Sequence, residues 1–286
     1  MKIVREPKVY LISSQTIPSE GLTDFLADEQ VDWYRDISAS LPESLCEIAG
    51  RLCYMSFKNP RPGGNQAYLQ HILEAGHGSV LEHAVWSFII TNISRSCSHE
   101  LVRHRAGWSH SQLSQRYVDE STAEYIEPAV LEKDEGLHDY WRTSMIFATN
   151  SYKKLVDILL VKNKLPCSKC GFNEPVLEKL AGAKVGCPQC KQVFLISTEE
   201  RKAARQAARS VLPNAAETKI FVTVNARALR HFIELRASRH AEPEIRKVAV
   251  KLLQIMQNEA PALFADYQLE ALSDGTFEAL TPYRKV

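Results

Sequence analysis

The chain has 286 residues, with 35 lysines and arginines against 34 aspartates and glutamates, so its formal net charge is +1. Hydrophobic residues make up 45% of it, which is typical of a globular protein and excludes a disordered or fibrous chain. The balanced charge argues against bulk binding to a polyanion. No apolar run approaches the ~18 residues of a membrane span, and no signal peptide opens the chain. We therefore expect a cytoplasmic protein without membrane association.

The predicted elements are mostly helices, with a few short strands between them. In chain order, caps, spacing and β-branched runs predict a strand at 8–16, helices at 41–54 and 66–75, a strand at 82–92, and helices at 94–105 and 137–163. They then predict a helix at 197–211, a strand at 219–224, and helices at 225–238 and 243–260. Strict βαβ alternation is missing, so we expect a helix-rich α+β fold with a small, mostly antiparallel sheet. The sequence contains no GxGxxG or P-loop motif.

Four of the seven cysteines form two CxxC pairs, Cys167 with Cys170 and Cys187 with Cys190. Each pair can present two thiolates to one ion, and together they complete the tetrahedral shell of a closed structural zinc site. A redox CxxC is disfavoured because no thioredoxin-like βαβ setting surrounds either pair, and a metal-free knuckle is disfavoured because all four ligands are intact. A saturated shell leaves no position for substrate, so the zinc is not expected to be catalytic.

The other three cysteines, Cys46, Cys53 and Cys97, lack the pattern of a nucleophile with its base. We expect them to be buried helix residues.

Basic residues cluster between Arg95 and Arg116, where four arginines and three histidines accompany a single glutamate. One interpretation is a solvated basic face. However, the segment has hydroxyl and amide side chains where a surface helix would have acidic partners. Its cations are arginines and not lysines, and arginine favours bidentate phosphate binding. A second arginine-bearing segment, 225–236, has the same mixed character. Its Arg236 continues an apolar helical stripe, so it needs either a partner carboxylate, such as Glu234 or Glu242, or an anionic ligand.

These segments resemble the flavin-dependent thymidylate synthase family. The matching motifs are RHRAGWSHSQLSQRY (103–117), HGSVLEH (77–83), ARSVLP (208–213) and NARALRHFIELRASRHAEPEIR (225–246), in the family's order. The resemblance implies an enzyme that methylates dUMP to dTMP, with FAD as flavin, methylenetetrahydrofolate as carbon donor and NADPH as reductant. It also implies a homotetramer whose active sites lie where subunits meet.

The resemblance assigns site residues position by position. Flavin-contacting positions match Ser79, Arg103, His104, Arg105, Gln112, Asn225, Ala226, Arg227 and His231, with His77 and Glu82 nearby. Positions that hold dUMP match Glu100, Leu101, Val102, Arg103, Gln112, Leu113, Ser114, Gln115, Arg116, Arg209 and Arg236. Arg236 is the candidate catalytic residue, because a cation beside the uracil ring stabilises the negative charge that develops there.

Three features differ from the family's usual pattern. Eight residues, 106–113, separate Arg105 from Ser114 where seven are usual. Cys53 stands at a position where the resemblance implies a small hydroxyl residue near the cofactor, and it has no assigned role. Segment 165–196 is interpreted as a zinc-ribbon-like insertion, with 193–196 as a strand, in a catalytic domain formed by 1–164 and 197–286.

Two alternatives compete with this interpretation. The sequence Leu165-Pro-Cys167 superficially resembles the nucleophile motif of the cysteine-dependent thymidylate synthase, but the CxxC pattern already accounts for Cys167. The other alternative is a zinc-ribbon nucleic-acid-binding protein whose arginines contact phosphates. The net charge and the lack of an aromatic series near the basic cluster argue against it, so no nucleic-acid partner is expected.

Overall fold

The structure is a computed structural model that describes residues 1–162, 164–174, 178–180 and 183–286. The predicted helix end at Asn163 lies outside the described residues. So do residues 175–177, 181 and 182 of the predicted insertion.

The α-helices of the described residues are numbered in chain order. They are α1 Ser19–Asp28, α2 Leu41–Cys53, α3 Gly64–Glu74, α4 Arg95–Leu101, α5 Ala129–Glu132, α6 Glu135–Lys162, α7 Thr198–Ala208, α8 Ala226–Arg236, α9 Pro243–Glu259 and α10 Pro261–Phe264. Two 3-10 turns, Gly78–His83 and Arg209–Val211, contain candidate site residues. Within the described residues, no helix combines the length and hydropathy needed to cross a membrane.

The β-strands of the described residues are short. They are β1 Ile3–Val4, β2 Lys8–Ser13, β3 Val85–Ser94, β4 Trp108–Gln112, β5 Tyr125–Ile126, β6 Glu178–Leu180, β7 Lys184–Gly186, β8 Val193–Leu195, β9 Glu217–Asn225, β10 Gln268–Ala271 and β11 Phe277–Leu280. The strand pairs β2–β3, β4–β9, β6–β7, β7–β8 and β10–β11 are antiparallel, and β1 pairs with β5 in parallel. The predicted helix-rich α+β class with small, mostly antiparallel sheets is confirmed.

The chain divides into two compact units. The larger unit comprises residues 6–112 and 218–286, and the smaller unit comprises residues 1–5 and 113–217.

The larger unit is built on a four-stranded sheet in the order β2-β3-β9-β4. Alternate residues of β3, Trp86, Phe88 and Ile90, are fully buried because successive side chains of a strand point to opposite faces. They belong to one apolar core with residues of α8 and α9, such as Phe232 and Leu253. This core positions the end of α4 and both ends of α8, which carry most of the candidate site.

The smaller unit is organised around the long helix α6, which packs along α7. A separate three-stranded sheet, β6-β7-β8, carries the predicted zinc insertion. Val185 of β7, Ile196 and Val161 of α6 form a small apolar cluster under it. The strand expected at 193–196 is therefore confirmed, as β8.

Most predicted elements are present with ends shifted by a few residues, and two caps match in detail. Ser40 and Ser197 each form a complete capping box, with Glu43 and Glu200 respectively.

Three sequence predictions in the larger unit are wrong, each for a local reason. The strand predicted from Glu82 begins at Val85, because 78–83 form a 3-10 turn that buries Val80 and Leu81. The helix predicted to reach Arg105 ends at Leu101, because the N–H groups of Arg103 and His104 donate to carbonyls three residues earlier and the chain turns out of the helix. Cys46 and Cys97 are buried as expected, but Cys53 is exposed, because it lies at the last position of α2 where the chain leaves the core.

Candidate functional site

The loop after α4 carries the RHR motif. The backbone N–H groups of Arg103 and His104 donate to carbonyls three residues earlier, so the chain turns tightly beyond Leu101. Arg103 and Arg105 are exposed, and neither forms an ion pair with a described residue. Two cations without carboxylate partners are suited to binding phosphate groups.

Asn225 connects this loop to the start of α8. Its side-chain oxygen accepts a hydrogen bond from the N–H of Ala228 at 2.9 Å and caps the helix. Its backbone N–H donates to the carbonyl of Gly107 at 3.1 Å. The fold therefore brings the RHR loop and the NAR segment into direct contact, although they are far apart in sequence.

Replacing Gly107 by alanine is expected to destabilise this junction by about 2–4 kcal/mol. Gly107 has φ +72°, and a Cβ there would lie 2.7 Å from both the amide nitrogen of Asn225 and the Cβ of Ala228. Denaturant unfolding measures the loss, and flavin retention should fall with it. The matched control is Gly21→Ala, since a Cβ at Gly21 meets nothing within 4 Å. Equal stability of the two variants would contradict the prediction.

Arg236, the candidate catalytic residue, is held at two points at the end of α8. Its Nη1 donates to Glu100 Oε2 at 2.8 Å, and its Nε donates to His104 Nε2 at 3.0 Å. Of the two possibilities that the sequence left open, a partner carboxylate is present, but it is neither of the two suggested examples, Glu234 and Glu242. Glu234 accepts the backbone N–H of Lys285 instead, and the tertiary fold places Glu100 of α4 at the guanidinium. The Arg236 side chain is 26% exposed, so part of the group stays accessible to a ligand.

Two more carboxylates at the start of α9 belong to this corner of the larger unit. A hydrogen bond with Glu100, together with burial, raises the pKa of Glu242 to about 7. Burial also raises the pKa of Glu244, which accepts hydrogen bonds from the backbone N–H and hydroxyl of Ser94 at 2.6 and 2.7 Å. Glu100 thus lies between a permanent cation, Arg236, and a carboxyl that is largely protonated below neutral pH.

His104 is expected to remain neutral until the pH falls to about 4. Burial is the main cause of this lowered pKa, and the positive charge of Arg236 adds to it. The imidazole nitrogen must be unprotonated to accept the bond from Arg236 Nε. As the pH falls below the ordinary value near 6.5, the unfolded chain binds a proton before the folded one does. This group's contribution to stability is therefore full above pH 6.5 and is lost as the pH falls through 4.

An NMR titration of histidine-labelled protein measures this pKa directly, and the variant His104→Gln assigns the signal. Global unfolding is a poorer measure, because Glu242 acts in the opposite direction. Its raised pKa gives a contribution that is present below pH 4.5 and is lost as the pH rises through 7. A His104 signal that titrates near 6.5 would contradict the prediction.

Gln112 ends β4 and is fixed by two hydroxyl groups. Its Nε2 donates to Ser98 Oγ at 2.8 Å and to Thr218 Oγ1 at 3.2 Å. Its position therefore depends on α4 and β9 as well as on its own strand.

Four other assigned residues of the larger unit differ in what they can offer a ligand. The side chains of Leu101 and Ala226 are fully buried, so only their backbone groups are available. Val102 packs against the core, and His231 is exposed on α8.

A cleft of about 330 Å³ opens beside the turn Gly78–His83. Arg227 lines it, and its Nη1 lies 2.6 Å from Glu82 Oε1. The other lining residues are Gly50, Cys53, Tyr54, Ile72, Gly76, His77, Gly78, Ser79 and Val80. The structure thus groups Ser79, His77 and Arg227, and it places Cys53, for which no role is predicted from the sequence, in the same cleft. Gly50 and Tyr54 gave no sequence signal, because their role depends only on where α2 ends.

The remaining assigned residues lie in the smaller unit. Gln115 is buried, and its Nε2 has no hydrogen-bond partner among the described residues; the same holds for Nε of Arg116. Buried N–H groups in native proteins are normally bonded, so these two are suited to a polar ligand or water. Leu113 and Ser114 are half-buried, and Arg209 is exposed at the start of its 3-10 turn.

The four cysteines of the insertion converge as a metal site requires. Their sulfur atoms all lie within 4.8 Å of one another, with 3.7 Å between Cys167 and Cys190 and 3.7 Å between Cys170 and Cys187. A tetrahedral zinc with Zn–S bonds of about 2.3 Å separates its sulfurs by about 3.8 Å. The residues therefore fit a single zinc ion.

The two CxxC turns share one backbone geometry. Cys167 donates its N–H to the carbonyl of Phe172 and accepts from Gly171, while Cys187 donates to Gln192 and accepts from Lys191, all at 2.8–2.9 Å. Gly171 and Lys191 both have φ between +57° and +73°. The repeated turn explains how each short CxxC presents two sulfurs to the same point.

Comparison with known proteins agrees with these features. The model of the family described as "Thymidylate synthase complementing protein" matches residues 37–262. The flavin-dependent thymidylate synthase of Mycobacterium leprae is 45% identical over 264 residues, which cover 91% of this chain and 92% of that protein. The enzyme of the same name from Mycobacteroides abscessus is 43% identical over 262 residues, with the same coverage.

A solved structure has a similar fold. The UMP/dUMP methylase PolB from Streptomyces cacaoi, bound with 5-Br dUMP, superposes with a TM-score of 0.61 at 18% identity. The match covers 93% of this chain and 96% of that one. The family match and the identity of its relatives together show that this chain belongs to the flavin-dependent thymidylate synthase family, a family of methyltransferase enzymes.

Proposed function

We propose that this protein converts dUMP to dTMP by reductive methylation, using FAD, methylenetetrahydrofolate as carbon donor and NADPH as reductant. Family membership supports the reaction. The structural observation that carries it is Arg236, a partly exposed guanidinium fixed by Glu100 and His104. Next to His104 in the chain are two exposed arginines, Arg103 and Arg105, that have no carboxylate partner among the described residues.

The larger unit offers a donor set that suits the flavin. Arg103 and Arg105 supply unpaired cations for its pyrophosphate, and Arg227 stands at a cleft that also exposes Ser79. His104 is neutral at physiological pH and already accepts from Arg236 at Nε2, so its Nδ1–H is the group that can donate to a ligand. When bound, the flavin would supply the redox chemistry of the reaction.

The proposed role of Arg236 is to stabilise negative charge on the uracil ring of dUMP. Its contact with Glu100 orients the guanidinium before substrate arrives, which is the preorganisation that electrostatic catalysis requires. In the smaller unit, the unpartnered N–H groups of Gln115 and Arg116 support a role in holding dUMP. The assignment of Leu113, Ser114 and Arg209 to dUMP stays a prediction.

Several finer features belong to the same proposal. They are a homotetramer with shared active sites, a cytoplasmic location, a structural zinc held by the four cysteines, and a division into a catalytic domain of 1–164 and 197–286 with an insertion at 165–196. The sulfur geometry supports the zinc. The absence of a dinucleotide fingerprint leaves NADPH supported only by the family resemblance.

The test is to incubate purified protein with dUMP, methylenetetrahydrofolate and NADPH and to measure dTMP. We expect a yellow protein that releases FAD on denaturation and needs all three reactants. The assay is repeated with NADH in place of NADPH, and we expect more dTMP with NADPH. A colourless protein with no dTMP formation, whose DNA affinity falls steeply with salt, would instead support the nucleic-acid-binding alternative.

Arg227→Ala is expected to weaken FAD retention by about tenfold or more, because it removes a charged donor from the cleft. FAD content after gel filtration, measured by absorbance, gives the result. Arg284→Ala is the matched control, since Arg284 is exposed and lies outside the cleft. Full flavin in Arg227→Ala would show that the residue does not hold the cofactor.

A further inference from the structure

A second and larger cleft, of about 730 Å³, lies within the smaller unit. Its walls come from α6, from α7 and from the β6-β7 part of the insertion. None of the residues assigned above to flavin, dUMP or zinc lines it. The cleft therefore requires an explanation of its own.

The floor of this cleft is apolar. Val161 of α6, Val185 of β7 and Ile196 are buried together there, and the half-buried Leu160 extends the surface. An apolar floor of this kind suits the flat face of a ring system, which gains free energy by leaving water.

The rim of the cleft is strongly basic, although the whole chain is balanced. Its lining has two acidic side chains, Asp119 and Asp157, against five basic ones, Lys153, Lys154, Lys184, Arg201 and Arg205. The excess of positive charge is thus local, and it favours an anionic ligand.

One of the five cations is ion-paired among the described residues, and the other four, Lys153, Lys154, Lys184 and Arg201, have no carboxylate partner there. Arg205 is already engaged, since it donates to the carbonyl of Tyr117 at 2.7 Å and pairs with Asp119 at 3.3 Å. Arg201 donates only to the hydroxyl of Thr198, at 3.2 Å, and Lys184 is exposed on β7. Neither Arg201 nor Lys184 has a carboxylate partner among the described residues.

We propose that this cleft binds a nucleoside triphosphate, with the base on the apolar floor and the phosphates on Arg201 and Lys184. A guanidinium matches the geometry of phosphate oxygens, and the volume lies within the usual range of about 300–1,000 Å³ for small-molecule sites. A nucleic-acid strand fits less well. Strand-binding grooves stack successive bases on several aromatic rings, whereas Tyr152 is the single aromatic side chain among the described residues of this lining, and it is buried.

The proposal gives the zinc insertion a function. Lys184 and Val185 lie three and two residues before Cys187, on a strand that pairs with β8 on one side and β6 on the other. Zinc at the four cysteines would hold this strand in place, and with it one wall of the cleft. The insertion would then build a ligand site in addition to the one for the reaction.

The test is calorimetric titration of the full-length, flavin- and zinc-loaded protein with ATP and, separately, with dTTP. Each titration is run with and without saturating dUMP, so the result does not depend on the proposed reaction. We expect saturable binding of at least one nucleotide, with one site per chain, whether or not dUMP is present. Lys184→Glu and Arg201→Glu should each weaken it at least about tenfold, because each replaces a charged donor by a repelling carboxylate.

The control variant is Lys133→Glu, an equal charge change at an exposed lysine of the smaller unit that lies outside the cleft and away from the cysteine turns. It should change the affinity by less than about twofold. No saturable binding at millimolar nucleotide, or unchanged affinity in both cleft variants, would overturn the proposal. Equal affinity for inorganic tripolyphosphate would show that the floor binds no base. Competition by single-stranded DNA through the same two residues would assign the cleft to nucleic acid.

Discussion

Replacing Arg236 by lysine is expected to lower kcat for dTMP formation by about 100-fold or more, with the flavin still bound. The guanidinium contacts Glu100 through Nη1 and His104 through Nε, which fixes its plane. A lysine ammonium is a single point on a flexible stem and cannot satisfy both partners while also facing the ring. The loss should therefore appear in kcat more than in KM, since the lost interaction strengthens in the transition state.

Steady-state kinetics and FAD content, measured on the same preparation, check this result. The matched control is Arg239→Lys, the same substitution three residues further on, at a side chain that is 57% exposed and paired with Glu278. The control should keep turnover within about twofold of the unchanged protein. Unchanged turnover in Arg236→Lys would reject the catalytic assignment. Loss of FAD together with turnover would move Arg236 from substrate activation to cofactor retention.

Removing the metal is expected to have the largest effect on stability, confined to the insertion. Metal analysis should find one zinc per chain, and Cys167→Ser combined with Cys170→Ser should abolish it. Zinc binding to such sites releases about 10–16 kcal/mol, and in a small segment this energy is folding energy. The apolar cluster under the sheet is small, with Val161, Val185 and Ile196 as its buried members, and cannot replace that contribution.

Hydrogen exchange resolves where the change occurs. Amides of β7 and β8 should lose their protection in the double variant, while amides of β3 and β9 keep theirs. The flavin spectrum and dUMP binding should survive, because no residue assigned to either lies within 165–196. Cys53→Ser is the control for thiol loss, since Cys53 lies outside the four-cysteine cluster, and it should keep its zinc. Zinc-free protein purified without chelator, or lost dTMP synthesis with FAD retained, would contradict this picture.

Local sequence patterns determined the features that depend on neighbouring residues. The capping boxes at Ser40 and Ser197 form within four residues, so the sequence predicted the helix starts correctly. The CxxC spacing likewise determines each turn, and the second pair follows the first closely enough for one sheet to bring them together. The RHR and NAR motifs are different, because their role is predicted by resemblance to a family and not by a local pattern.

Contacts between distant segments were decided only by the tertiary structure. The sequence could not predict that Glu100 pairs with Arg236. The chain has many carboxylates, and only the tertiary packing determines which of them lies at the guanidinium. The sequence missed β4, whose WSHSQ sequence lacks a strand pattern and is held as a strand by pairing with β9. The sequence also did not predict the exposure of Cys53 or the basic cleft formed in part by the insertion. Such features depend on which surfaces meet when the chain packs, and local propensity carries no information about partners far away in sequence.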